Sequence, residues 1–411
     1  MFCRSCGNAT SDEFLNLAAS PAANSFLDKG ALDRPEPYYP LVVYVCNRCL
    51  LVQIAESKRA EETFTEEYVY FSSYSEAFVQ HARQYVEDIV AQLQLNKDSF
   101  AVEAGSNDGY LLQFFNERGI RCLGVEPSAS TAKFAREKGV ETIIEFFGTP
   151  IAGKIASERG PADLFIGNNV IAHVPDLNGF IGGIEALLKP DGVATIEFPH
   201  LLNLIKELQF DTIYHEHYSY FSLLSISKPF ERHGMYVFKI DEIPVHGGSL
   251  RVHCAKEGSG RAKDPSVEKV ATDERAFGLY EFENYFGLQA KVDSLCLDFL
   301  EFLIREKKKG AKIIGYGAAA KGNALLNYCG VKPYLIDFVA DITPAKQNKF
   351  LPGSRIPVYG EDKIEEHKPD YIVILPWNWE KEIKSRLGFV SKWGGKFVTV
   401  IPALKITEAR R

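Results

Sequence analysis

The sequence predicts an α/β chain made of two Rossmann-like units behind a small metal-binding module. Three observations carry this. Cys3/Cys6 and Cys46/Cys49 stand in two CxxC knuckles near the start of the chain. Glycine-rich turns, Glu103 to Gly109 and Gly315 to Asn323, each follow an apolar run and open a helical pattern. Between them, short apolar runs alternate with segments of helical period, as in a doubly wound parallel sheet. The 411 residues suit two to three domains. The expected division is 1–62, 63–256 and 257–411.

The first module contains the knuckles. Four thiolates can close a tetrahedral zinc shell, and a two-residue spacer lets one turn present two sulfurs. Cys3, Cys6, Cys46 and Cys49 are therefore expected to hold structural zinc. The stretch between the knuckles, rich in Pro, Asn and Asp, reads as a loop insertion. A thioredoxin-like redox pair fits poorly, because neither CxxC opens a helix after a parallel strand.

The second unit opens with an amphipathic helix near Ser75 to Leu95. A buried strand from Ser99 leads into the first glycine turn and a helix, Tyr110 to Arg118. Strands follow at Arg121 to Val125, Thr142 to Glu145 and Asp163 to Asn169, then a helix from Gly179 to Leu188 and a strand from Gly192 to Phe198. Ser222 to His233 reads as a helix. Tyr236 to Asp241 and Ser249 to Ala255 pair as a hairpin, giving the sheet one antiparallel edge strand.

A polar connector, Glu257 to Asp273, leads to the third unit. Glu274 to Lys309 reads as one long helix. The second glycine turn and strands at Tyr334 to Val339, Tyr371 to Leu375 and Lys396 to Val400 complete a second Rossmann-like unit.

Composition narrows the function. Hydrophobic residues make up 46% and charged residues 25%, as in ordinary soluble proteins. The net charge of −7 is spread along the chain, with no basic run for nucleic acid or an anionic membrane. The N-terminus lacks the apolar region of a signal peptide, and runs such as Leu41 to Cys46 are too short to span a bilayer. A cytoplasmic enzyme, monomeric or weakly homo-oligomeric, is the expectation.

The first turn, Glu103-Ala-Gly105-Ser-Asn107-Asp108-Gly109, is not the dinucleotide fingerprint. Its acidic residues repel phosphate and suit a cofactor with a positive centre. S-adenosylmethionine, with its sulfonium and ammonium, is such a cofactor. Glu126, at the end of the next strand, is placed to accept from ribose hydroxyls, and Asn168 to line the cleft.

Tyr214-His215-Glu216-His217 concentrates proton-moving groups in four residues. A metal site using both histidines is the competing explanation. Were the acceptor a carbon, as the family resemblance given below implies, it would be methylated as a carbanion equivalent, which needs a base and an enolate donor. His217 is chosen as the base. On the substrate that the same resemblance implies, Glu216 would orient an imidazole or hold a sugar hydroxyl, and Tyr214 and His173 would donate to the ketone or enolate oxygen. Gly315 to Asn323 places backbone N–H groups and Lys321 at a helix start, which suits a pyrophosphate. Lys321, Asn323, His246 and Arg251 are the expected substrate contacts, with Lys346 to Arg355 supplying further cations.

Five motifs together resemble the nucleotide-deoxysugar C-methyltransferases. They are Glu103 to Gly109, Asn169 to Asp176, Tyr214 to Ser222, His246 to Arg251 and Tyr316 to Tyr328. The likeness covers essentially the whole chain. It implies an N-terminal zinc domain, a central class I (Rossmann-like) methyltransferase domain and a C-terminal Rossmann-like domain. It also implies methylation of a keto-deoxysugar carbon, most commonly C-3 beside a 4-keto group, on a dTDP- or GDP-linked sugar. Through the resemblance, Tyr74 is matched to a tyrosine facing cofactor or substrate. Methylation at C-5, O- or N-methylation of a nucleotide sugar or related metabolite, and a zinc-ribbon binding scaffold are the alternatives.

Overall fold

The computed structural model describes residues 1–65 and 71–409. Three sheets organise it. In the N-terminal module, β1 (Asp12–Ser20), β2 (Tyr39–Val45) and β3 (Val52–Ile54) pair antiparallel. The expected loop insertion thus contains a strand pair. Leu15, Leu17, Leu41, Val43 and Val45 bury their alternate positions, which outweighs the polar residues around them.

The central unit supplies β4 (Phe100–Ala104), β5 (Arg121–Val125), β6 (Thr142–Ile143), β7 (Ala162–Asn168) and β8 (Leu188–Pro199). The short β9 (Ser219–Tyr220) leaves this unit and pairs with β3 as fourth strand of the N-terminal sheet. The hairpin β10 (Met235–Ile243) and β11 (Ser249–Lys256) completes a seven-stranded sheet of order β10-β11-β8-β7-β4-β5-β6. Its one antiparallel strand is β11, which lies inside the sheet between β8 and β10 and not at the expected edge. β4 is buried along its whole length, as a parallel strand covered on both faces must be.

The helix Glu76–Leu93 covers one face. Ser75 caps it by accepting from the Phe78 N–H, and Phe78, Ala82, Tyr85, Val86 and Ile89 form its buried stripe. The helix expected at Tyr110 to Arg118 shrinks to Gln113–Asn116. Tyr110, Leu111, Leu112, Phe114 and Phe115 are all buried, so no polar face is left to solvate a regular helix.

The expected polar connector contains a helix, Pro265–Phe277, capped by Asp264 with proline in its first turn. The single long helix is interrupted. Gly278 (φ 96°) ends the first piece and Gly287 (φ 95°) precedes the second, Leu288–Lys308. The last sheet has the order β14-β13-β12-β15-β16-β17. It is built from β12 (Ile313–Tyr316), β13 (Val339–Ala340), β14 (Val358–Tyr359), β15 (Tyr371–Ile374), β16 (Lys396–Thr399) and β17 (Lys405–Glu408). Tyr334 lies outside it, largely exposed.

One hydrophobic core joins the N-terminal sheet to the C-terminal unit, with Val43 and Val52 packed in the same cluster as Phe299 and Ile313. The cysteine end packs instead on the central unit, beside Phe221 and Phe230. The module is therefore wedged between the two Rossmann-like units. Among the described residues, no helix is long and apolar enough to cross a membrane.

Candidate active site

Each parallel sheet has a switch point, where successive connections leave a strand in opposite directions and open a crevice at the strand C-termini. In the central sheet this is β4, flanked by β5 and β7; in the C-terminal sheet it is β12, flanked by β13 and β15. One cavity of about 630 Å³ is lined by residues from both switch points. Gly105 and Asn107 follow β4, Glu126 follows β5, and Asn168 ends β7. Lys321 lies in the first turn of the helix after β12, and Trp379 in the short turn after β15.

The cofactor end is shaped by close approach. Gly105 has φ +60°, and a Cβ there would lie 2.5 Å from Val170 Cγ2. The Glu126 carboxylate accepts from the Asn107 N–H and the Ser128 N–H, both at 2.9 Å, which pins it at the end of β5. Burial pushes its pKa up. Among the described residues, the buried Oδ1 of Asn168 has no hydrogen-bond partner. An acidic group, amide side chains and a bare glycine offer no cation for a pyrophosphate, and they fit S-adenosylmethionine.

Three expected cofactor residues stand behind this wall and do not line the cavity. Glu103 is sealed inside β4, and burial beside Glu126 and Asp108 raises its pKa well above the ordinary range. Asp108 turns to the Ser73 hydroxyl and to Lys138 Nζ, the latter at 3.3 Å. Gly109 (φ 74°) faces Ala135 and Val140 in the packing below. Tyr74 also lies outside. Its ring stacks on Phe71 with centroids 5.3 Å apart and is half exposed.

The tetrad forms the middle of the cavity. His217 Nδ1 lies 2.7 Å from the Thr212 carbonyl oxygen, which can only accept, so Nδ1 carries the proton. Nε2 is thereby left as an acceptor, and the Tyr214 hydroxyl donates to it at 2.9 Å. Burial, with the nearby His173, Lys321 and His246, holds the His217 pKa well below the ordinary imidazole value. The His173 ring meets His217 edge-on with centroids 4.6 Å apart. Among the described residues its Nδ1 has no hydrogen-bond partner, and burial lowers its pKa to about 4.

Glu216 lines the cavity, accepts from Asn24 Nδ2 at 2.7 Å, and is pushed up to about 7 by burial. His215 points away from its neighbours in the tetrad. Its Nε2 donates to the Tyr39 carbonyl oxygen at 3.2 Å, against the N-terminal module. The two histidines therefore do not converge on a metal. Among the described residues, the metal-type cluster is the four cysteines alone.

At the far end, Lys321 Nζ donates to the His246 carbonyl oxygen at 3.4 Å and sits 5.1 Å above the Trp377 ring. The Trp377 indole N–H donates to Asp211 at 2.8 Å, and burial pushes the Asp211 carboxyl up to about 6. His246 lines the cavity, in a left-handed conformation (φ 55°), with its pKa held near 4 by burial and Lys321.

Two expected substrate contacts are structural. Arg251 donates to Glu197 at 2.8 Å and lies over the Tyr85 ring, inside the central unit. Asn323 donates to the Ala23 carbonyl oxygen at 3.1 Å, tying the helix of Lys321 to the N-terminal module. Sequence reasoning also passed over Asn24, Asp211, Asn378 and Trp379. The sequence signal for Asp211 is its place three residues before Tyr214.

The four cysteine sulfurs lie within 4.8 Å of one another, with Cys3 to Cys49 at 3.4 Å and Cys6 to Cys46 at 3.6 Å. Tetrahedral zinc with bonds of about 2.3 Å separates its thiolates by roughly 3.8 Å, so the shell fits the ion.

Segments of the chain match known protein families. A zinc-binding domain family matches residues 3–64, a methyltransferase domain family residues 78–240, and a C-methyltransferase C-terminal domain family residues 244–402. A solved S-adenosylmethionine-dependent methyltransferase from Anabaena variabilis aligns at a TM-score of 0.36 and 14% identity, covering 43% of this chain and 84% of its own. A ubiquinone biosynthesis O-methyltransferase of Bradyrhizobium is 34% identical over 98 residues, 23% of this chain and 38% of that protein. The C-methyltransferase NovU of Streptomyces niveus is 35% identical over 407 residues, 99% of this chain and 97% of that protein. Because that match runs through the zinc module and both Rossmann-like units, the chain belongs to the S-adenosylmethionine-dependent C-methyltransferases.

Proposed function

We propose that this C-methyltransferase acts on a ring carbon of a nucleotide-linked 4-keto-6-deoxysugar, with C-3 as the acceptor. The bound cofactor supplies an electrophilic methyl group. The chain must generate the carbanion equivalent on the sugar by removing a proton and stabilising the enolate. His217 Nε2 removes the proton alpha to the ketone, and the Tyr214 hydroxyl, released from Nε2 by the incoming sugar, donates to the ketone oxygen as enolate charge develops. A positioned base contributes ~10²–10⁴-fold and an enolate donor a further ~10²–10³-fold.

The lowered pKa of His217 keeps it unprotonated at neutral pH. Its conjugate acid forms beside the enolate, so the buried cavity takes up an ion pair and not a lone charge. Lys321, at the N-terminus of the helix Ala320–Tyr328, is suited to the diphosphate.

The observation that most supports this is the fixed tautomer of His217, with its acceptor nitrogen and the Tyr214 hydroxyl together on the wall between the cofactor end and Lys321. Incubation with S-adenosylmethionine and a dTDP- or GDP-linked 4-keto-6-deoxyhexose is expected to yield a product one methylene heavier, with NMR locating the new methyl on C-3. A methyl on oxygen, on nitrogen or on C-5 would replace this assignment. Absence of both methylation and deuterium exchange at the alpha carbon would remove it.

A further inference from the structure

We propose that Asn24, carried by the zinc module, is a positioning residue for Glu216, so that the metal-binding module forms part of the active site. The geometry is direct. Asn24 Nδ2 donates to Glu216 Oε1 at 2.7 Å, and both side chains line the cavity. Glu216 is only 3% exposed, so this amide is not replaced freely by water.

The loop that carries Asn24 is held from the other side. Next to it, the Ala23 carbonyl oxygen accepts from Asn323 Nδ2 at 3.1 Å, two residues along the helix from Lys321. Leu27 and Phe350 exchange backbone hydrogen bonds at 2.9 and 2.8 Å. Lys346 Nζ lies 5.7 Å from the Phe26 ring centroid. The C-terminal unit thus fixes a loop of the N-terminal module, and that loop fixes a carboxyl of the central unit.

An amide N–H can only donate, so it occupies one Glu216 oxygen and favours the ionised carboxyl. The other groups that face Glu216 are Lys58, whose charge acts in the same direction, and His173, whose ring bonds the Glu216 backbone. Tyr218 is the neighbouring phenol on the same segment. Asn24 acts through Glu216, leaving that carboxylate aimed at a sugar hydroxyl. This last role rests on the substrate proposed above.

The test has two arms on zinc-loaded, full-length protein. In protein labelled with ¹³C-glutamate, the Glu216 carboxyl resonance is assigned by its loss in Glu216→Gln and titrated. Asn24→Ala is expected to move its midpoint upward by roughly half a unit to one unit, the equivalent of one lost hydrogen bond. Asn24→Asp keeps the shape of the side chain, replaces the donor by a like charge, and is expected to raise the midpoint further. An unchanged midpoint in both variants overturns the proposal.

The second arm is a double-mutant cycle on kcat/KM. Asn24→Ala and Glu216→Gln each lower it, and the double variant is expected within about twofold of Glu216→Gln. Fully additive losses would mean that Asn24 acts elsewhere and overturn the positioning role. A wild-type enzyme inactive on keto-sugar nucleotides would strike the substrate assignment alone, since the titration arm still decides the Asn24–Glu216 pairing.

Discussion

The Tyr214 hydroxyl and His217 Nε2 are 2.9 Å apart within a single turn, and the Thr212 carbonyl oxygen on the opposite ring nitrogen dictates which of the two donates. In the mechanism proposed above, a base and an oxyanion donor are thereby stored in contact, each occupying the other until substrate separates them.

Removing either member should then affect the reaction differently. His217→Asn is expected to abolish both methylation and alpha-proton exchange. Tyr214→Phe should lower kcat by ~10²–10³-fold while leaving slow exchange measurable, because the base remains. Single-turnover methylation and deuterium uptake followed by mass spectrometry separate the two. Equal loss of exchange in both variants would assign proton removal to the pair as a unit.

Glu216 carries a stability cost whose sign is fixed. Its folded-state carboxyl, pushed up to about 7, binds a proton more tightly than the unfolded chain does. The associated stability is fully present below the unfolded value and is lost as pH rises through about 7, amounting to about 3 kcal/mol. Glu216→Gln cannot ionise. Its melting temperature should therefore fall less than the wild type's between pH 5 and 8, as read by calorimetry.

Zinc removal should reach the active site. The knuckles anchor the sheet in which β3 pairs with β9, and β9 follows the tetrad by a single residue. Arg4, between Cys3 and Cys6, donates to the carbonyl oxygen of Ile54 in β3 at 2.5 Å. Cys49→Ser, or chelation, is expected to release the metal, lower the melting temperature and lower kcat more than it weakens S-adenosylmethionine binding. Metal analysis, calorimetry and kinetics check the three effects.

What the sequence revealed, and what it hid, follows from the range of the interactions. The cysteine cluster, and the places of Gly105, Asn107, Tyr214, Glu216 and His217 on the cavity wall, were legible because their spacing is local: two residues separate the members of each cysteine pair, and one short segment sets Tyr214 beside His217. Asn24 was invisible because its partner is Glu216, far along the chain. Arg251 was misread for the same reason, since nothing beside it in sequence announces Glu197. The fold was legible wherever period and burial agree. It was misjudged at Gly278 and Gly287, where positive φ breaks a continuous helical pattern, and at Asp264-Pro265, where a cap starts a helix inside a polar stretch.

Gly105 offers a test of the cofactor end. A methyl group there meets Val170 Cγ2 at 2.5 Å and requires a left-handed backbone. Gly105→Ala is expected to weaken S-adenosylmethionine binding by at least about tenfold, the equivalent of ~1.4 kcal/mol. Adding Val170→Ala should recover part of the loss by removing the clash while leaving the φ strain. Calorimetric titration of the cofactor into both variants measures this.

Arg251 separates a structural role from the substrate role first expected of it. Its guanidinium donates to Glu197, which is fully buried and held near a pKa of about 2 by His81 and Arg251. Glu197 in turn accepts from Asn169 Nδ2 at 3.2 Å, and Asn169 lines the cavity. Arg251→Met takes the guanidinium from a buried carboxylate, leaving it to His81 and Asn169, and is expected to destabilise the fold by up to about 3–5 kcal/mol. The double variant with Glu197→Gln has no stranded charge and should recover most of that stability. If Arg251 instead held the substrate diphosphate, the single variant would raise the sugar-nucleotide KM strongly at nearly unchanged melting temperature. Denaturation and steady-state kinetics on the same preparations decide between these outcomes, and the geometry favours the first: the guanidinium lies over the Tyr85 ring and beside Glu197 and does not line the cavity.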